Sequence, residues 1–317
     1  MARRLATAVA YGGSGVGILG LSTLGVLALE GLLARRTVGP PRSEPPEAGG
    51  VYAAPDVPAD TRALSLLVLG DSAAAGLGAT VPAETPGAQL AVGLSALARR
   101  PVRLHNAAAV GARSEHLDGQ LDVAFEELPR PDIAMIIIGV NDVTHLRSPN
   151  QAVPYLRAAV ERLRGLGTAV VVGTCPDLGT IRPFPQPLRA VAAAMGRRLA
   201  EAQTVATVEV GARTVSLGDL LGPQFAERPS EMFGPDRFHP SSIGYAAAAA
   251  ALLPSAAAAL DLDDGRDLPV GVLPLRDAAF EAARNPGAEV MRGEVAGKDR
   301  GPRGRFAALR HRRLLRR

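Results

Sequence analysis

Apolar and polar positions divide the chain into regions of different texture. From about Leu5 to Leu33 the residues are almost continuously apolar, interrupted by small or hydroxyl side chains and by Glu30, with Arg3 and Arg4 before the run and Arg35 and Arg36 after it. A run of that length can span a bilayer, and no clear small-x-small cleavage site follows it, which favours an uncleaved membrane anchor over a removed signal segment for residues 1–36. Two arginines on each side leave its orientation open. Residues 37–62, rich in Pro, Gly, Ala and acids and without periodicity, read as a linker.

From residue 63 short apolar runs alternate with stretches of helical pattern. The runs Leu64 to Leu69, Val102 to Asn106, Ile133 to Ile138, Ala169 to Gly173 and Val205 to Val210 read as strands, and helices are predicted near 86–99, 114–127, 150–166 and 188–203. Strands that are apolar throughout and separated by helices predict a parallel sheet covered on both faces, a three-layer α/β/α domain. An Ala-rich helix over roughly Ser241 to Leu260 closes the domain, which is expected to span residues 63–261. Pro and Gly return over 262–297, read as a C-terminal extension with one short helix at 275–284.

Composition narrows the function. There is no Trp and aromatic residues make up 3%, so the core must be aliphatic. Lys298 is the one lysine and is followed by Asp299, which excludes a phosphate-cradling glycine loop with its Lys-Ser/Thr ending. The lone Cys175 excludes an intramolecular disulfide and a cysteine metal cluster, and its place after a strand and before Pro176 reads as a buried thiol. Residues 298–317 carry +8 of a net charge of +4, leaving −4 on the rest. Such a tail is expected to be disordered and solvated, able to meet anionic lipid or cell-wall polymer. Nucleic-acid binding is not expected, since stacking aromatics and a recognisable binding module are both missing.

In open parallel sheets the site lies at the carboxyl ends of the strands. There the sequence places Gly70-Asp71-Ser72 after the first strand, Asn106 and then Gly111 after the second, and Gly139-Val-Asn141-Asp142 after the third. Asp236-Arg-Phe-His239-Pro240 stands directly before the last helix. A hydroxyl nucleophile, a base, an orienter for that base and oxyanion donors are what an ester hydrolase needs. Ser72 fits the first role and His239 the second, while Asp236, three residues earlier, can fix the imidazole tautomer. Ser72 and Gly111 would give backbone N–H groups and Asn141 its amide to the oxyanion. Singly each residue also has a plain structural reading: Ser72 as a helix N-cap, Asn141 as a turn residue, 236–240 as a helix start. Asp71 and Asp142 read as structural, His145 as a loop-packing residue near the cleft, and His105, His116 and His311 as structural or solvated. The Gly-x-Ser-x-Gly elbow of the larger α/β-hydrolases is absent.

These four blocks, in this order, resemble the GDSL-type or SGNH hydrolases, over roughly residues 63–261. The resemblance implies a flavodoxin-like sheet of five parallel strands and esterase, lipase, thioesterase or carbohydrate-deacetylating activity. It implies Ser72, Asp236 and His239 as the triad, with Ser72, Gly111 and Asn141 as the oxyanion hole and no cofactor or metal. The Ala- and Arg-rich composition and Thr174-Cys-Pro-Asp177 are similar to the actinobacterial branch, whose members are commonly exported or surface-associated. Ala73 stands where the family name has Leu, a variation that leaves the serine in place. The expectation is a monomeric, metal-independent serine carboxylesterase for short- to medium-chain acyl esters, with its catalytic domain outside the cytoplasm, membrane-anchored or secreted. The alternatives are a deacetylase or acyltransferase acting on cell-envelope carbohydrate or lipid, and an inactive surface-binding protein on the same scaffold.

Overall fold

The computed structural model describes residues 44–58, 60–217, 227–262, 271–285, 287–293 and 306–311, with Phe225 and a few positions between 29 and 39. The apolar run up to residue 28 lies outside the described residues, as does most of the predicted anchor.

Nine strands among the described residues form one sheet: β1 Gly50–Tyr52, β2 Leu64–Gly70, β3 Val102–Asn106, β4 Ile133–Ile137, β5 Ala169–Gly173, β6 Arg213–Val215, β7 Gly271–Pro274, β8 Ala288–Arg292 and β9 Phe306–His311. Their order is β1-β3-β2-β4-β5-β6-β8-β9-β7. The five central strands, β3-β2-β4-β5-β6, are parallel, and four of them stand where the sequence placed strands. The predicted five-stranded sheet is nevertheless only the middle of a mixed one, because β1 adds antiparallel to β3 and β8 adds antiparallel to β6.

The helices are α1 Ser72–Ala75, α2 Pro86–Ala98, α3 Leu117–Glu127, α4 Val140–Thr144, α5 Pro149–Gly165, α6 Leu188–Glu209, α7 Pro229–Met232, α8 Ser242–Ala259 and α9 Leu275–Ala282. Alternation along the buried strands divides the core in two. Leu66, Val68, Met135, Ile137 and Val171 pack with Leu90 and Leu94 of α2 and Leu252 of α8 on one face. Leu67, Leu69, Ile136, Val170 and Val172 pack with Leu117 and Leu121 of α3 and Leu156 and Leu163 of α5 on the other. Small residues let α2 and α8 approach closely: a Cβ added to Gly93 would lie 2.7 Å from Leu253 Cδ2. By length and a mean hydropathy of 1.4, α8 is apolar enough to cross a membrane. Its burial against the sheet and α2 makes it a core helix.

Three expectations are corrected. The run Val205 to Val210 is not a strand, because α6 continues through it to Glu209 and the fifth parallel strand is Arg213–Val215. Its β-branched residues mimic a strand, but no breaker separates them from the helix before Gly211, whose φ of +80° ends it. Residues 262–297 do not stand apart from the domain, since β7, α9 and β8 extend the same sheet. Nor is the basic tail wholly unstructured: Phe306–His311 forms β9, pairs with both β7 and β8, and buries Ala307, Ala308 and Leu309. The arginine count of the tail masked that short apolar run. Val208, Ala278, Ala282, Val290 and Leu309 give this edge its own small core.

Candidate active site

Each of the four sequence blocks lies at the carboxyl end of the parallel sheet or in the loop that faces it. At the end of β2, Gly70 has φ +136°, and a Cβ there would sit 1.9 Å from Ile137 O on the neighbouring strand, so only glycine fits. Both amide groups of Gly70 are held by one buried side chain: Gln120 Oε1 accepts the Gly70 N–H at 2.9 Å, and Gln120 Nε2 donates to Gly70 O at 2.8 Å. Asp71 then caps α1 by accepting the Ala73 N–H at 3.0 Å. Ser72 is thereby fixed at the first position of α1, 8% exposed.

Asp236 and His239 come from the loop between α7 and α8. Asp236 Oδ1 accepts the N–H groups of Phe238 at 2.9 Å and His239 at 3.0 Å, which folds the loop around the carboxylate. Its Oδ2 lies 2.6 Å from His239 Nδ1, and His239 Nε2 lies 3.0 Å from Ser72 Oγ. Asp236 is held below the usual carboxylate range: burial alone would raise it, but the hydrogen bond from His239 and those from the two backbone N–H groups outweigh that. With Asp236 ionised, Nδ1 of His239 carries the proton and Nε2 presents its lone pair to the Ser72 hydroxyl. The arrangement can therefore withdraw a proton from Ser72.

The other predicted residues lie in the loops and helices that follow β3 and β4. Gly111 has φ +79° in the loop after β3. Asn141, in α4, donates from Nδ2 to Ala112 O at 3.0 Å, which sets its amide against that loop. His145 donates from Nδ1 to Asn141 O at 2.8 Å, so this histidine braces α4 and is itself exposed. Asp142 is buried and accepts from Ser114 N–H and Oγ, tying α4 to the start of α3. His105 pairs with Glu127, and His116 Nδ1 accepts the Arg113 N–H. Cys175 is buried, and burial pushes its thiol pKa well up. Among the described residues no three His, Cys, Asp or Glu side chains are grouped to hold a metal ion.

Residues 68–247 match the GDSL-like Lipase/Acylhydrolase family. The chain belongs to the GDSL-like lipase/acylhydrolase family. A GDSL-like esterase of Mycobacterium tuberculosis is 41% identical to this family member over 281 residues, 86% of this chain and 87% of the relative. Among solved structures, an acetylxylan esterase from Geobacillus stearothermophilus is 20% identical with a TM-score of 0.44, covering 63% of this chain and 95% of its own. An extracellular lipase from Streptomyces rimosus is 17% identical with a TM-score of 0.43, covering 62% and 100%. The protein is thus an ester hydrolase of GDSL type.

Two residues of this GDSL-type site escaped the sequence reading. Gln120 clamps Gly70, and Gln203 repeats the device one strand over, accepting the Cys175 N–H at 2.8 Å and donating to Ile138 O at 2.9 Å. Both glutamines sit on the buried stripe of a helix, among Leu117, Leu121 and Ala124 or Leu199, Ala200 and Thr207. A polar amide on an apolar stripe was the available signal, because a buried amide must find partners.

Asp71 carries a pH dependence of its own. It is 1% exposed, and burial raises its pKa to about 6 against the Ala73 N–H and the charge of His239, with nearby Asp142 adding to the rise. A carboxyl raised above its unfolded value of 3.8 costs no stability below about pH 4 and takes stability away as pH climbs through 6. The Asp71→Asn variant keeps an oxygen for the Ala73 N–H and has no charge to bury. Relative to the parent it should gain about 2 kcal/mol of stability between pH 4 and pH 8. Urea unfolding of both proteins at the two pH values measures this; a constant difference would contradict it.

Proposed function

We propose that Ser72 attacks the carbonyl carbon of an acyl ester while His239 takes its proton, giving an acyl-enzyme that water then releases. The observation that carries this is the chain of contacts Ser72 Oγ, His239 Nε2 and Nδ1, Asp236 Oδ2, at 3.0 and 2.6 Å. The same imidazolium returns the proton to the departing alcohol. The oxyanion is met by the Ser72 N–H, at the helix start where N–H groups lack intrahelical partners, by the Gly111 N–H and by the Asn141 amide.

The acyl side is read from a cavity of about 60 Å³ that adjoins Ser72 and His239. Its buried walls include Ile137 of β4, Leu217, Phe225, and Tyr245 and Ala248 of α8, which set it between the sheet end and α8. An apolar cavity of about 150 Å³ accepts benzene, so a void well under half that size takes roughly two or three carbons. The preferred acyl group is therefore short, of two to four carbons. Hydrolysis of nitrophenyl esters from two to sixteen carbons tests this, with rates expected to fall sharply beyond four. Phe225→Ala should shift the optimum to longer chains, and Ala248→Leu should narrow it towards acetyl. An optimum at eight or more carbons in the parent protein would refute the short-chain reading.

The same pocket suits an acetyl group carried on envelope carbohydrate. Acetylated sugar cleaved faster than acetylated phenol would favour it. The anchor reading of residues 5–33 supports a membrane-tethered domain.

A further inference from the structure

Glu30 stands near the end of the apolar run, where sequence alone suggests nothing beyond a tether. Its side chain is instead 8% exposed, and its Oε2 accepts the Leu188 N–H at 2.8 Å across 158 residues of chain. Leu188 opens α6, a 22-residue helix preceded by Pro187, which has no side-chain oxygen, and without an acid in its first turn. The first N–H groups of a helix have no partner inside it, and a carboxylate there complements the helix dipole. Glu30 thus provides from a distance the cap that the local sequence lacks.

What α6 begins from is the wall of the pocket. Pro176, Leu178 and Ile181 line the cavity beside Ser72. Phe184, further along the same loop, meets Phe238 with ring centroids 6.0 Å apart and planes tilted by 49°, and the Phe238 and His239 rings meet edge to face with centroids 4.9 Å apart. Leu178, Ile181, Phe184, Leu188 and Phe238 share one apolar cluster with Val143 of α4. A continuous set of contacts therefore joins Glu30 to His239.

We propose that Glu30 is a positioning residue: by capping α6 it holds the 176–188 loop and Phe184 against Phe238, and so keeps His239 aligned on Ser72. Glu30 then braces the active-site wall from behind, through α6. This rests on the Ser72 and His239 roles proposed above, and its test is built to fail separately from them.

The full chain is taken in detergent micelles as parent, Glu30→Ala and Glu30→Gln, and followed by amide hydrogen exchange and by hydrolysis of nitrophenyl butyrate. In Glu30→Ala, exchange at Leu188 and Arg189 should rise about tenfold, with faster exchange also at 236–239. The kcat/KM should fall about fivefold with most of the change in kcat, as expected for a misaligned base. Glu30→Gln, which keeps the accepting oxygen, should recover at least half of the loss. Faster exchange at Leu188 with parental kinetics and parental exchange at 236–239 would overturn the proposal, leaving a cap without influence on the site. Unchanged exchange at Leu188 would also overturn it. If the parent cleaves no ester, the ester reading fails, while exchange at 236–239 still decides the coupling.

Discussion

Ser72→Ala is expected to lower turnover of nitrophenyl butyrate by about a million-fold while leaving the fold intact. The substitution removes one oxygen that is 3.0 Å from His239 Nε2 and borders a cavity, so neither the packing of β2 nor the cap that Asp71 makes on α1 changes. Stability should stay within about 0.5 kcal/mol of the parent. The decisive comparison is single-turnover hydrolysis beside thermal unfolding. Parental hydrolysis by this variant would place the chemistry on another residue; lost hydrolysis with a collapsed melting temperature would mean that the serine is needed for folding instead.

Asp236→Asn comes next, with an expected loss of about ten-thousandfold. An amide at this position still accepts the Phe238 and His239 N–H groups through Oδ1, so the loop should keep its shape. What changes is the other end, where an NH2 now faces His239 Nδ1 and asks it to accept. The ring is then driven to carry its proton on Nε2, towards Ser72, where it cannot serve as a base. Because Asp236 is ionised well into acid in the parent, its contribution to stability is present above the unfolded carboxylate range and lost as pH falls through its depressed value. The variant should lack that loss. Rates and unfolding curves from pH 3 to 8 would show both effects, and a loss of less than tenfold in rate would remove Asp236 from the orienting role.

Ser72, His239 and Asp236, which stand in a chain of hydrogen-bond contacts, were legible because each belongs to a short block tied to one strand end or helix start. Gly70 to Ser72 and Gly139 to Asp142 announce themselves locally, since a turn leaving a buried strand needs glycine and then a polar residue. The parallel centre of the sheet was legible for a similar reason, from apolar runs such as Ile133 to Ile137 that no helix stripe would produce. Contacts made across the chain left no such trace. Gln120 and Gln203 act on backbone some fifty and twenty-eight residues away, and nothing beside them in sequence names Gly70 or Cys175. Glu30 caps a helix 158 residues on, and in sequence it looks only like a flaw in an apolar run. The fifth strand was misplaced because Val205, Thr207 and Val208 carry strand-like side chains on a helix whose burial against the sheet decides the matter.

The position of β9 bears on how the molecule is made. Its six residues are the piece that bridges β7 to β8. Synthesis delivers β9 after β7 and β8, so β8 can join β6 while the edge beyond it waits without its partner. Closure of that edge therefore waits for β9, and a chain stopped or clipped before Phe306 would leave β7 and β8 without the strand that joins them, each with an edge open to neighbouring molecules.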